Sequence, residues 1–509
     1  MRVVAYALVC FATLGVQYSY SPIYALLLEE LQTPPAATAF VGSLSVGLMD
    51  GLGPISGLAI ERFGPRRTCI AGSVICGRGM MASAAASELW HFYFTYGLIV
   101  GVGTSLSFMA PIVLMNRWFK KRLALSHAAG NMGSALTPLA FGPASTPLFA
   151  SLGRRTTMLC LGGLQLVLLL GASLLLTPPT RKHTADSTLS FTTVVSKSDE
   201  VPSTPTHEDA ADDDATQKSA GQARHTAAAP TAPAGAKSIA ASLAPFRAAL
   251  RHRVMRLTML TVFCYGLGAW IPIVHLVRIA RECGLPAAEA NSALVFMAVG
   301  SFTLRVPVAC AADRFGRLRV FAVVCLLYAS VCLAAALSAG TPHAGVCVDD
   351  ALPLPTSNAS HARTPSDLAP TISPASSDVA VGGASWASAG IIAFAYSSGL
   401  TGALNSVSVS LPSEIGLPPA QARVGSVMVC TPLGLGFLIG PVVGGALHEL
   451  NDRYLEPLLF SVGMIVLGAC FALFTHTLSM AQHQPAAPAA VNEGVVARAE
   501  EAHVVSACS

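Results

Sequence analysis

Charge is what this sequence has least of. Lysine, arginine, aspartate and glutamate make up 11% of the 509 residues, against about 25% in an ordinary soluble domain. With 53% hydrophobic residues and a mean hydropathy of +0.58, the chain is suited to solvation by lipid. The net charge of +4 is small, and the basic residues fall in short loops and form no single patch, which sets nucleic acid aside as a partner. Also missing are any Cys-x-x-Cys pair and any paired histidine spacing. The 13 cysteines stand singly, mostly in apolar stretches (Cys69, Cys76, Cys310, Cys325, Cys430), and read as small hydrophobes. Only Cys283 and Cys347 fall in expected outer loops, where a disulfide is feasible. No nucleophile and base, metal cluster or phosphate loop stands in a suitable context, so neither an enzyme nor a cofactor nor a metal site is expected.

Long apolar runs are what the chain has instead. A spanning helix needs roughly 20 mostly apolar residues. Such runs cover about residues 3–28, 39–60, 68–87, 91–115, a fifth stretch containing His127, 157–177, 254–280, 288–311, 319–340, 386–409, 422–447 and 455–477. The first is too long for the apolar core of a signal peptide and reads as a span. These runs predict an all-α membrane protein of twelve transmembrane helices. The expected organisation is an N-terminal six-helix bundle over 1–177, a disordered linker over 178–250, a C-terminal six-helix bundle over 251–480 with a long outer loop at 341–383, and a disordered tail over 481–509. The linker and the outer loop are rich in Pro, Ala, Ser and Thr, a composition that cannot bury enough apolar surface to order itself.

The two halves echo each other. Residues 57–67 read GLAIERFGPRR and residues 311–319 read AADRFGRLR, so an acid followed by Arg-Phe-Gly and two further basic residues occurs once in each half. A carboxylate at a helix end can pair with loop arginines and with a neighbouring helix terminus. Glu61, Arg62, Arg66, Asp313, Arg314 and Arg317 are therefore candidate gating residues, the bland alternative being topology anchors. Lysine and arginine placement puts these loops, both termini and the linker in the cytoplasm. The one Asn-x-Ser/Thr sequon, at Asn358, then falls in an outer loop where glycosylation can occur.

Arg305 is the best single candidate for function. Apolar residues flank it on both sides, and an intramembrane arginine costs about 2.5–3.5 kcal/mol on insertion scales. Its reason is either an anionic substrate or a structural ion pair. Asp50 and Arg78 lie on consecutive helices and read either as an intramembrane charge pair at the site or as a packing ion pair. His275 is a candidate for the outer vestibule, or else a helix-end interface residue. His127 and Asn131 share a helix face, and Asn405 is isolated in the tenth helix. Among aromatics, Tyr18, Tyr20, Tyr24, Phe263, Trp270 and Tyr396 read either as shaping the substrate's apolar part or, more commonly for such helices, as simple packing. Gly97, Gly101 and Ser105, and Gly436, Gly440 and Gly444, repeat at four-residue spacing and predict close helix contact.

The chain resembles the monocarboxylate transporter family of the major facilitator superfamily. The likeness rests on LGVQYSYSPIYALLLEEL in the first helix, GPISGLAIERFGPRR, RWFKKRLALSHAAGNMGSALTPL, IPIVHLVRIARECG, LRVPVACAADRFGR and LGFLIGPVVGGAL. It implies a fold of two pseudo-symmetric six-helix bundles that rock about a central site. It further implies secondary transport of a small organic monocarboxylate across the plasma membrane, with a single-span ancillary subunit as a candidate partner. Family members bind the carboxylate through an arginine in the eighth helix, a place Arg305 occupies with one residue inserted before Pro307. Tyr20, Asn131, His275 and Asn405 are the accompanying substrate-binding candidates. The family's proton-linked members resemble one another in an aspartate one turn before that arginine and a lysine in the first helix. Here those places hold Ser301 and, by alignment of SYSPIY, Pro22, neither of which carries a proton. Proton symport is thus open, with facilitative carriage of amino acids or larger carboxylates as the alternative. A non-transporting membrane sensor on the same fold is a further alternative.

Overall fold

The computed structural model describes residues 2–119, 122–176, 248–282, 285, 290–340, 380–417, 419–451 and 453–483. Grouped at their breaks, the described helices form twelve rods. In the first half these are α1 (Arg2–Ala12, Leu14–Tyr18 and Tyr20–Leu31), α2 (Pro35–Gly51 and Gly53–Phe63), α3 (Pro65–Ala82) and α4 (Leu89–Phe92, a π-helical stretch Tyr93–Val100, and Gly101–Trp118). Then α5 starts with Leu123–Asn131 and continues in Gly133–Leu175, which turns at Gly153 (φ 69°, ψ 168°) to become α6. The second half has α7 (Arg253–Ala269 and Ile271–Glu282), α8 (Ser292–Phe315), α9 (Arg317–Gly340) and α10 (Ala380–Ser398 and Leu400–Ser408). It ends with α11 (Pro419–Met428 and Cys430–Asn451) and α12 (Leu455–His483).

By length and apolarity, 8 of the described helices can each cross a membrane, and the bent pair in α2 makes 9. Two of the remaining rods differ visibly from these: α3 carries Arg66, Arg67 and Arg78, and α5 is interrupted after Asn131. Helix resumes at residue 248 and at Ala380, a few residues before the expected linker and outer loop end, and α12 runs to His483, a few residues into the expected tail. Most of the expected linker, the outer loop with Asn358 and Cys347, the expected tail, and Cys283 lie outside the described residues.

The breaks are local consequences of sequence. α1 is interrupted at Thr13 and Ser19, three residues ahead of Pro22, whose ring lies in the first turn of Tyr20–Leu31 where no backbone N–H is needed. α2 bends by 49° between Gly51 and Gly53, ahead of Pro54. The echo loops end alike: Gly64 (φ 86°) and Gly316 (φ 99°) take backbone angles that a side chain disfavours, so a helix carrying a terminal Arg-Phe stops at the glycine and the next begins at once.

Within the halves, the small-residue ladders do the close packing. Gly97 and Gly101 lie against Leu44 and Leu48 of α2, and Ser105 Oγ meets Ser56 Oγ at 2.9 Å. Gly436, Gly440 and Gly444 lie against Gly266, Leu267 and Ile271 of α7. Between the halves, α2 packs along α11, α5 against α8 and α10, and the Tyr20–Leu31 part of α1 against Ile271–Glu282 of α7. The α2–α11 seam is tight: a Cβ at Gly434 would stand 2.4 Å from the Gly51 nitrogen.

Candidate functional site

Arg305 projects from the middle of α8 into the contact between the halves and is fully buried. Its Nη1 donates to the Asn131 carbonyl and, at 3.1 Å, to Ser134 Oγ, both on α5. Nη2 donates to Ser301 Oγ one turn back at 2.7 Å. Nε has no partner among the described residues, and none of their ion pairs involves Arg305. The guanidinium is held by three neutral oxygens, each a weaker partner for it than a carboxylate. Room for it comes from Gly402 on α10, where a Cβ would stand 2.1 Å from Nη2.

A polar layer extends from this point. Asn131 Nδ2 donates to Ser406 Oγ at 3.1 Å, and its Oδ1 accepts from Cys10 Sγ at 2.9 Å. Asn405 Nδ2 donates to Tyr18 Oη at 3.0 Å, and its Oδ1 accepts from Tyr265 Oη at 3.1 Å. The Tyr18 ring lies 5.1 Å from Trp270, which lies 4.5 Å from Phe437, so an apolar wall adjoins the polar layer. Ser134, Ser301, Tyr18 and Thr401 line a cavity of about 10 Å³ beside the guanidinium, room for at most one water. The site is contracted onto its own side chains.

Both ends of the contact between halves are bridged. At the end carrying the basic loops, the Asp313 carboxylate accepts from the backbone N–H of Ala124 (3.3 Å) and Leu125 (3.0 Å), and Arg317 pairs with it at 3.0 Å. Those amides belong to the first turn of α5, whose N–H groups have no partner inside the helix. Arg317 is itself held by Ser413, and its backbone N–H and that of Leu318 donate to Glu414 Oε2 at 2.5 and 3.1 Å. At the opposite end, Arg281 pairs with Glu29 at 2.5 Å, the Ala36 amide donates to Glu449 Oε1 at 2.9 Å, and the Val277 amide donates to Ser21 Oγ at 3.2 Å.

The sequence candidates thus divide. Arg305 and Asn131 meet directly, and Asn405 lies in the adjoining layer; Asp313 and Arg317 form a bridge between the halves. Arg314 turns onto the exposed ring of Phe315, while Glu61, Arg62 and Arg66 are exposed and make no ion pair among the described residues. Asp50 and Arg78 are not brought together, which corrects their reading as a pair. Asp50 is 5% exposed inside the bundle, whereas Arg78 points out of an exposed face near the end of α3, where a long side chain can reach the interface.

Tyr20 belongs to packing in the first half. Its hydroxyl donates to the Thr38 carbonyl at 2.9 Å, and its ring adjoins Tyr96 at 5.5 Å, two residues and about 200° of helix rotation away from Tyr18. His275 is hydrogen-bonded to Tyr454 Oη (3.1 Å) and the Pro441 carbonyl (3.3 Å), with Tyr24 edge-on at 5.2 Å, in the layer far from the basic loops. His127 adjoins Tyr6 and bonds Asn116 at 2.8 Å, and Tyr396 meets Thr303 at 2.9 Å away from the centre. Cys10, Ser134, Tyr265 and Gly402 are site residues that sequence reasoning missed. Each is a common residue type for a helix interior, so pattern alone does not single it out.

The model of the Major Facilitator Superfamily matches residues 6–349, and the chain belongs to that superfamily. Its relatives carry a narrower name. It is 25% identical over 315 residues to monocarboxylate transporter 3 of Rattus norvegicus, covering 61% of this chain and 55% of that protein. It is 32% identical over 152 residues to monocarboxylate transporter 6 of Homo sapiens and 30% over 166 residues to monocarboxylate transporter 14 of Homo sapiens, spanning 30% and 32% of those proteins. The matches thus span about half or less of the relatives' own lengths. These proteins are named as transporters, not enzymes. Among solved structures, the nucleoside transporter NupG aligns with a TM-score of 0.56 at 11% identity, over 95% of this chain and 100% of that one, a likeness of fold.

Proposed function

We propose that this protein is a secondary transporter of small organic monocarboxylates, working by alternating access about the seam between its halves, with Arg305 holding the carboxylate. The observation that carries this reading is a fully buried guanidinium that meets only neutral oxygens among the described residues. A charge kept there against an intramembrane cost of about 2.5–3.5 kcal/mol is accounted for by a ligand that supplies the opposite charge. The fork of donors matches a carboxylate geometrically. Because the cavity is so small, loading requires the bridges at one end to part, and the two bridged ends are the natural gates. The names of the relatives favour the same substrate class. The membrane is the plasma membrane in this reading, with both termini cytoplasmic.

A second reading, facilitative carriage of amino acids or larger carboxylates, is favoured by Ser301 in place of an acid one turn before Arg305. The test is uptake into proteoliposomes holding the purified full chain, with lactate, pyruvate, aromatic amino acids and larger monocarboxylic acids. Saturable uptake of at least one acid that vanishes in Arg305→Ala, while the variant remains normally folded and inserted, is expected. Undiminished uptake by that variant overturns the assignment, and preference within the panel separates the two readings.

A further inference from the structure

The seam between the halves holds a second buried ionisable group. Asp50 lies halfway along α2, just before its bend, and is 5% exposed. Its carboxylate makes no ion pair among the described residues. Carboxylates buried in a membrane interior are rare and normally mark a pathway or a relay.

Its position relative to Arg305 is informative. Arg305 stands eight residues before Asp313 of its loop, and Asp50 eleven before Glu61 of the repeated loop, a difference of less than one helical turn. The first half thus presents an acid at nearly the depth at which the second half presents a base. The phenols of Tyr6 and Tyr18 on α1 lie within electrostatic range of Asp50 and of Arg305. Another titratable group in the field of Asp50 is Cys430 at the break in α11. Around it, Tyr20 and Tyr96 pack at the Thr38–Gly42 end of α2, and the charged groups Glu61, Arg62 and Arg117 stand at the far ends of α2 and α4.

Resting on the transport reading above, we propose that Asp50 is a proton-binding group of the seam whose protonation is linked to anion binding at Arg305. The reason is charge balance in a poorly hydrated seam. With nothing bound, ionised Asp50 and Arg305 sum to zero. With a carboxylate on Arg305 and a proton on Asp50, they again sum to zero. Either half-loaded state leaves one net charge in the seam, where it is costly to move. The seam therefore reorients empty or doubly loaded. α2 and α11 are the elements that must slide there, because backbone touches backbone at Gly434 and Gly51 and Thr431 Oγ1 reaches the Gly51 carbonyl at 3.3 Å. The only bonds made and broken are O–H bonds: a proton passes from hydronium in the water on one side to an Asp50 oxygen, and from there back to water on the other.

Linkage makes this measurable, because a proton that assists anion binding is itself bound more tightly when the anion is present. The purified full-length chain is titrated with the best-transported acid of the panel, in weakly buffered solution, while proton uptake and affinity are read together. Above the pH at which Asp50 ionises in the empty protein, uptake of about one proton per acid bound is expected, with affinity falling up to tenfold per unit rise in pH. In Asp50→Asn both effects should disappear, and Asp50→Glu should restore them. Acid binding by the unaltered protein without proton uptake at every pH tested from neutral to alkaline, or unchanged proton uptake in Asp50→Asn, overturns the proposal. The proton count on the unaltered protein holds even if a variant fails to fold. If no acid of the panel binds at all, the fault lies in the transport reading.

Discussion

The two copies of the Arg-Phe-Gly loop share a sequence and a backbone turn, yet among the described residues only one of them forms an ion-paired bridge between the halves. At the end of α8, Asp313 reaches the first turn of α5 and is braced by Arg317 and Glu414. At the end of α2, Glu61 stands exposed, without an ion pair among the described residues. The helices that carry the loops differ in the same way, since α8 bears Arg305 where α2 bears Gly53 at the same eight-residue spacing. Repetition thus preserves what the chain needs locally, a helix stop with a positive-φ glycine. Function requires a partner on another element, and that has diverged.

The sharpest way to break the comparison is Arg305→Ala, which removes the one buried cation that distinguishes α8. Loss of two charged hydrogen bonds to a carboxylate, at about 1.5 kcal/mol or more each, predicts a weakening of at least about a hundredfold, read as uptake per inserted molecule. Gly402→Val comes next. The added side chain must push the guanidinium aside, and overpacking of about 1–3 kcal/mol should weaken acid affinity roughly tenfold while Arg305 itself is intact. Unchanged affinity would mean that the guanidinium is not the ligand.

Asp313→Asn tests the bridge. It keeps an oxygen for one amide but removes the charge that favours the α5 N-terminus, an effect of up to about 1 kcal/mol. Alkylation of a cysteine introduced by Ser126→Cys in α5 should accelerate about fivefold as that end opens more often. Glu61→Gln should leave the same labelling rate within about twofold, in keeping with the ~0–1 kcal/mol of exposed charges. Equal effects of Asp313→Asn and Glu61→Gln would erase the difference drawn between the loops.

Much of the architecture was legible beforehand, because lipid imposes length and apolarity on every span and glycine spacing reports close contact. Arg305 was legible for the same reason, as a charge where charge is costly. Its setting was not. The oxygens that hold it come from Asn131 and Ser134, more than 170 residues away in the chain, and the Tyr18–Asn405–Tyr265 chain joins three helices from both halves. Asp50 and Arg78 were misread as partners because neighbouring in helix order does not specify helix rotation. At 100° per residue, one faces the seam and the other the exterior.

The linear chain therefore settles which segments must leave water, where each helix must stop, and which residues are too polar to be there by accident. Those are single-residue or nearest-neighbour matters, governed by transfer free energy and backbone angle. Which polar residues meet, which loop engages, and which ionisable groups end in the seam were decided only when twelve helices packed. Each depends on the rotation and depth of one helix against another, a relation carried by no single stretch of sequence.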